Sequence, residues 1–241
     1  MKHLDLFSGI GGFALTAKWC WGDEYENVGH SEIEEFPCKV YHKHFPESRC
    51  LGDITKIEWK EGQAELITGG FPCQPHSQAG LKRGSKDERD LWSECIRAIS
   101  RIRPGYALFE NVSELLKTEQ GRFFNRVLSD LAKERYDVQW QIIPACEIGA
   151  PHTRKKLWIM AYSVSIGQKK NVEFFSQYIK NERINTRTWN KRRMDKPEIE
   201  RVVDGIPRQL DRLAAIGNAI VPQVAYEIFK RIKEVDNATQ H

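Results

Sequence analysis

Apolar positions in the first 162 residues fall in short runs separated by stretches of helical spacing. Lys2 to Phe7 reads as a strand, a Gly-rich turn follows, and Phe13 to Trp19 is helical. Glu26 to Ser31 is a second strand, followed by a helix through about His44. A third short strand is expected near Arg49 to Leu51. The buried run Ala64 to Thr68 is a fourth, ended by Gly69-Gly70. Leu91 to Arg101 is helical, with Leu91, Ile96, Ile99 and Ile102 on related faces. Tyr106 to Phe109 is a strand, Gly121 to Glu134 a helix and Val138 to Ile143 a strand, and Leu157 to Tyr162 closes the set. Such alternation predicts an α/β fold, a mostly parallel sheet with helices on both faces. Ligands of such sheets bind at the carboxyl ends of the strands.

The chemically suggestive residues fall at those ends. Asp5 and Phe7 end the first strand, Glu32 follows the second and Asp53 the third. Cys73 follows the fourth, and Glu110-Asn111 the fifth. A lone thiol is ordinarily a small core residue. Cys73 differs because Pro72 and Pro75 stiffen the backbone on either side of it, and a thiol is a strong nucleophile.

The first turn, Ser8-Gly9-Ile10-Gly11-Gly12, lets a ligand approach the backbone closely and opens onto a helix N-terminus with free N–H groups. It is neither Gly-x-Gly-x-x-Gly nor a Walker loop, which disfavours pyrophosphate and nucleoside triphosphates. Glu32 is placed to accept hydrogen bonds from ribose hydroxyls, and Asp53 to hold an adenine amine. A nucleoside cofactor without pyrophosphate points to S-adenosylmethionine. A Gly-rich turn used only for packing remains the alternative.

With 241 residues, the chain is long enough for one sizeable domain. It contains no apolar run of membrane-spanning length, and its first residues lack the apolar stretch of a signal peptide, so a cytoplasmic location without a membrane partner is expected. Six cysteines without a Cys-x-x-Cys pair suggest free thiols. Cys38, His42 and His44 have spacing that could in principle hold a metal, but a helix surface accounts for them better, and no metal is assigned. The net charge of +4 is concentrated. Ser163 to Asp204 holds ten basic and six acidic residues, and the remainder is neutral. Phe174, Phe175, Tyr178 and Trp189 are interleaved there, as suits a polyanion with stackable bases; a solvated insertion is the alternative.

Five motifs occur in a fixed order: Asp5 to Phe13, Gly70 to Gly80, Glu110 to Val112, Gly149 to Arg154 and Gly217 to Pro222. Together they resemble the DNA cytosine carbon-5 methyltransferases over Lys2 to about Tyr162 and again from Ile206 to about Val235. The compact size is similar to that of phage-borne and orphan bacterial members. The resemblance implies a Rossmann-like, class I S-adenosylmethionine-dependent methyltransferase fold. It implies that Cys73 attacks carbon 6 of a flipped-out cytosine while Glu110 hydrogen-bonds or protonates ring nitrogen 3. Asn111 would buttress the Cys73 loop, and Arg154 would help hold the base. Phe7, Glu32, Asp53 and Leu91 match adenosine-binding positions, beside the turn glycines Gly9, Gly11 and Gly12. Asn218 would lie by the methionine portion, which brings the last helix, Val221 to Lys233, back against the first part of the sheet.

His76, His152 and Lys156 depart from the family pattern, and Ile33 replaces a commonly aromatic residue beside the adenine. The resemblance divides the chain into a catalytic and cofactor-binding domain (1–162), a short target-recognition segment (163–205) and C-terminal helices (206–241). Ser77, Arg183, Arg187, Lys191, Arg192 and Arg193 are the candidates for contact with double-stranded DNA, with Trp189 a wedge or packing residue. Pro207 to Leu213 reads as a helix. A monomer is expected, with a cognate restriction endonuclease as a conceivable partner. Two other readings stay open: a tRNA cytosine methyltransferase, and a DNA-binding member without catalysis.

Overall fold

The computed structural model describes residues 1–72, 91–148, 154–167, 172–175 and 218–238. Six strands form one sheet: β1 (Lys2–Leu6), β2 (Glu26–Ser31), β3 (Leu66–Gly69), β4 (Tyr106–Val112), β5 (Tyr136–Pro144) and β6 (Lys155–Ser163). Their order is β2-β1-β3-β4-β6-β5. β1 pairs in parallel with β2 and β3, and β3 with β4, while β6 runs antiparallel to both of its neighbours. The expected mostly parallel α/β sheet is present.

Side chains alternate between two apolar layers, as the pleat requires. Leu4, Leu6, Ile67, Ala107, Phe109, Leu157 and Ile159 face one way, toward α3 (Trp92–Ile102) and α4 (Arg122–Lys133). Leu66, Tyr106, Leu108, Trp158 and Met160 face the other, toward α1 (Gly12–Trp21) and the C-terminal helix. Burial on both faces explains why the central strands read as nearly continuous apolar runs. The helix α2 (Glu35–His44) packs Tyr41 and Phe45 against Ala14 of α1. After β6 comes a single turn, α5 (Val164–Gly167), and Pro222 opens α6 (Pro222–Asn237), at a position where its missing N–H goes unneeded.

The two ends of the chain meet. Phe229 of α6 is fully buried and lies 5.2 Å from the Trp21 ring and 6.4 Å from Phe13. Thr16 Oγ1 donates to the Pro222 carbonyl (3.3 Å) and Lys233 Nζ to that of Cys20 (3.1 Å). The last helix thus returns to the first, as the resemblance implied.

Three local differences from the sequence reading have physical causes. Arg49 to Leu51 forms no ladder, only the single bridge His30–Cys50, because Gly52 turns away with φ 69°. β4 runs past Phe109, so Glu110 and Asn111 lie inside the strand, opposite Trp158 and Leu157. The third concerns aromatics expected on a DNA face. Phe174 is fully buried, 6.2 Å from Tyr106 and 5.1 Å from Tyr162, and Phe175 is buried beside it. Gln139 of β5 fixes this stretch, accepting from the Phe174 N–H (2.9 Å) and donating to the Val172 carbonyl (2.5 Å). Both rings are core, and neither is available to stack on bases. Tyr178, Trp189 and the expected helix at 207–213 lie outside the described residues.

Phe229→Ala should cost about 3–5 kcal/mol of stability, since a fully buried ring joining the two ends of the chain leaves a cavity. Urea unfolding followed by circular dichroism measures it; a loss under about 1 kcal/mol would show that α6 is not integral to the core.

Candidate functional site

The carboxyl edge of the sheet is built from turns tied to one another. Ser8 N donates to the Ser31 carbonyl (3.0 Å), and Ser31 Oγ donates to that of Gly52 (2.8 Å). The loops after β1 and β2 and the Gly52 turn are thus bonded to one another. Phe7 sits in the left-handed region at φ 51°, where a bulky side chain is strained and a functional constraint is the usual cause. At Gly12 a Cβ would come within 2.7 Å of Ile220 Cγ1, so only glycine lets the segment containing Asn218 close over the turn. Gly9 and Gly11 also take positive φ, 53° and 89°, and a Cβ at Gly9 would meet nothing within 4 Å.

Glu32 is half-buried beside this turn. Its Oε2 accepts from Gly9 N (2.9 Å), and Oε1 accepts from Ile33 N (2.8 Å) and Glu34 N (2.9 Å). The next residue, Ile33, is 72% exposed, a bare aliphatic face at the sheet edge. Ser8 Oγ is buried and has no hydrogen-bond partner among the described residues. A carboxylate, an uncovered apolar side chain, an unpartnered hydroxyl and an open glycine fit the sugar, base and polar tail of an adenosine derivative. Leu91 caps α3 and packs against the adjoining core. Asp53 also has a structural role. It caps the turn Ile54–Lys56, with Oδ1 accepting from Thr55 N (3.0 Å) and Thr55 Oγ1 (2.8 Å), and these bonds, the hydroxyl's first, hold its carboxyl below the usual range. Arg97 of α3 grips that turn through the carbonyls of Ile54 (2.6 Å) and Ile57 (2.8 Å).

Glu110 is 3% exposed near the end of β4. Its Oε2 lies 3.6 Å from where a Cβ on Gly70 would stand, which places the carboxyl against the backbone leading to Cys73. Lys156 Nζ lies 2.5 Å from Oε1, yet Oε1 has no partner in hydrogen-bonding geometry, so the contact is best described as charge against charge. Burial raises the Glu110 pKa; Lys156 and then Arg154 oppose the rise without cancelling it. The charges of Lys156 and Arg154 thus both act on Glu110. Asn111 Nδ2 donates to the Phe71 carbonyl (2.9 Å, buried), holding the chain two residues before the thiol. Phe71 itself is wedged 5.3 Å from Trp92 and 6.0 Å from Phe109. Cys73, His76, Ser77, His152 and the basic cluster from Arg183 to Arg193 lie outside the described residues.

One feature of the edge went unread in the sequence. Tyr25 Oη pairs with His3 Nδ1 (3.0 Å), His3 Nε2 with Thr68 Oγ1 (2.7 Å), and Thr68 Oγ1 donates to Asp5 Oδ1 (2.8 Å). Because the Thr68 proton goes to Asp5, the His3 Nε2 proton goes to Thr68, and Nδ1 accepts from Tyr25. Burial lowers the His3 pKa to about 3, in keeping with a neutral ring. The signal was available: His3 and Asp5 are alternate residues in a strand, interleaved with Leu4 and Leu6. The unpartnered Ser8 hydroxyl left no such trace.

Burial also raises the Asp5 pKa well above 3.8. A carboxyl with a raised folded pKa keeps its proton in the native state after the unfolded chain has lost it. Stability should therefore fall as pH rises from the usual carboxylate range through the folded values. Glu110→Gln removes one of the two groups and should flatten that decline, as read by urea melts between about pH 4 and pH 7. An unchanged slope would contradict a raised Glu110.

Residues 1–212 match the family described as C-5 cytosine-specific DNA methylase. The type II methyltransferase M1.ScrFI of Lactococcus lactis subsp. cremoris is 35% identical over 179 residues, 73% of this chain and 44% of that protein. The type II methyltransferase M.SsoII of Shigella sonnei is 37% identical over 67% of this chain and 42% of its own length. The chain thus spans less than half the length of these relatives. A Spodoptera frugiperda DNMT2 variant superposes with a TM-score of 0.57 at 24% identity, over 68% of this chain and 50% of that one, a likeness of fold. Sequence and architecture agree: the chain belongs to the C-5 cytosine-specific DNA methylase family.

Proposed function

We propose that the chain methylates carbon 5 of cytosine in double-stranded DNA, with Cys73 as the covalent nucleophile and S-adenosylmethionine as the cofactor. One observation carries the reading: a buried Glu110, its pKa raised by that burial, set against the backbone that leads to Cys73, with Asn111 fixing the Phe71 carbonyl beside it. A cytosine ring is inert at carbon 5 until a nucleophile adds at carbon 6. The Cys73 sulfur forms that bond, and the electron pair of the 5,6 double bond shifts into the ring. Glu110, its pKa raised by burial, hydrogen-bonds or protonates ring nitrogen 3 and so stabilises the charge that builds there. Arg154 holds the base in place. When the carbon-5 proton leaves to a base or water, elimination releases the thiol.

The cofactor, when bound, supplies the methyl group. Glu32 would accept from its ribose hydroxyls, Ile33 and Phe7 would line the base, and Asp53 and Leu91 would close the adenine side. Gly9, Gly11 and Gly12 would admit it to the turn, and Asn218 would meet the methionine portion. The target base must leave the duplex, at a cost of about a few kcal/mol. Residues 1–162 and 206–241 form the catalytic body in this reading. Residues 163–205 choose the site, with Ser77, Arg183, Arg187, Arg192 and Arg193 touching DNA.

Mass spectrometry after incubation with cofactor and duplex DNA containing 5-fluorocytosine should detect a covalent adduct that is absent in Cys73→Ala. Cys73→Ala should still bind cofactor within about twofold of the parent, because the thiol belongs to the base side. Absence of an adduct with the intact chain sinks the reading; an adduct on tRNA alone would change the substrate. Glu32→Ala should weaken cofactor binding about tenfold or more by calorimetry. Equal affinity would remove Glu32 from the cofactor site.

A further inference from the structure

Cys38 lies on the first turns of α2 and Cys50 just before the Gly52 turn, twelve residues apart in sequence, yet their sulfurs are only 3.8 Å apart. Both point at one atom: the Glu32 carbonyl oxygen lies 3.6 Å from Cys38 Sγ and 4.0 Å from Cys50 Sγ. Cys50 is exposed and Cys38 half-buried, so an oxidant reaches the first and finds the second directly behind it. The geometry points to an oxidation site, in which Cys38 and Cys50 close into an intramolecular disulfide that loosens cofactor binding at Glu32.

The chemistry balances with hydrogen peroxide as the two-electron acceptor. The Cys50 thiolate attacks one peroxide oxygen; the O–O bond breaks, hydroxide leaves, and Cys50 becomes a sulfenic acid. Cys38 sulfur then attacks Cys50 Sγ. The S–O bond breaks, and water departs with the Cys38 proton. The order follows from the surroundings: burial, together with the neighbouring Cys50 and the Glu32 charge, pushes the Cys38 thiol up, which leaves Cys50 as the attacking group.

Closure has a structural consequence. A disulfide requires about 2.05 Å between sulfurs, so they must approach by roughly 1.8 Å. The Cys50 side is pinned to β2 through the bonds His30 N to Arg49 O (3.0 Å) and Leu51 N to His30 O (2.8 Å). The Cys38 side is fixed by its own N–H to the Glu34 carbonyl (3.1 Å). The compliant part between them is the turn holding Glu32, whose carbonyl also loses both thiol donors. Its carboxylate, bonded to Gly9 N, is then displaced from the Gly-rich turn. This effect on cofactor rests on the function proposed above; the cross-link does not.

Two readouts separate those parts. After mild peroxide treatment, non-reducing tryptic mass spectrometry should find Trp19–Lys39 joined to Cys50–Lys56, two hydrogens lighter than the separate peptides. The cross-link should vanish in Cys50→Ser and, because Cys20 shares the first peptide, also in Cys38→Ser. Oxidised Cys50 without a partner, or linkage through Cys20, would overturn the site. In calorimetry, the oxidised parent should bind S-adenosylmethionine about tenfold more weakly, as expected when a positioning group moves by an ångström or so. Dithiothreitol should restore binding, and Cys50→Ser should be insensitive to oxidant. Equal affinity in the cross-linked and reduced parent would overturn the coupling. A reduced parent that binds no cofactor would instead defeat the proposed function, while the cross-link would still be judged by mass.

Discussion

A sheet covered on both faces leaves few places for polar chemistry. Leu4, Leu6, Leu66, Ile67, Leu108, Phe109, Leu157 and Trp158 have no solvent exposure, so a polar group among them must find its partners within the layer. His3, Thr68 and Asp5 do so by handing protons along one chain from Tyr25. Toward the carboxyl ends of β1 and β4, and at Trp158 Nε1 opposite Glu110, that discipline relaxes. Ser8 Oγ, Asp5 Oδ2 and Glu110 Oε1, all buried without a hydrogen-bond partner among the described residues, gather toward that end of the sheet. The location of the site is thus a consequence of how the core is built.

The edge is also where both termini of the described fold contribute. Gly12 is glycine because Ile220 occupies the volume a methyl group would need. Phe7 is held at a backbone angle that suits glycine better, by a turn bonded to Ser31 on one side and to the helix start on the other. Strain of that kind persists only where neighbours over-determine the backbone, and Ser31, Gly52, Glu32 and Ile220 supply the determination.

What could be read from the sequence followed from how local its cause was. Runs such as Leu66 to Thr68 and the helical spacing around Ile99 announce themselves within a few residues. The motif order assigned Glu110 and the Cys73 loop to one edge; Glu110 is buried beside Gly70, while the loop lies outside the described residues. Arg49 to Leu51 misled because a three-residue apolar-flanked stretch carries no record of Gly52 turning away after it. Phe174 and Phe175 misled differently: in a basic segment their composition suggested nucleic acid, whereas their partners, Tyr106, Tyr162 and Gln139, are distant in sequence. The bonds that Asp53 Oδ1 accepts from Thr55 were not foreseen, because they depend on the backbone two residues on. The Cys38–Cys50 contact was hidden for the same reason, since it depends on how α2 lies across the bridge at His30.

The docking of Val172 to Phe175 sets what a substitution there can do. Phe174 is sealed between Tyr106 and Tyr162, and Arg231 of α6 donates to the Glu173 carbonyl (3.1 Å). The chain is therefore clamped to the folded body at this point, and α6 clamps it again after residue 221. Each anchor carries its own buried contacts: Phe174 against two tyrosines of the sheet, and Phe229 against Trp21 and Phe13. In evolutionary terms, what holds residue 174 to an apolar ring is its seat between Tyr106 and Tyr162, a demand set by the sheet and not by the basic composition around it.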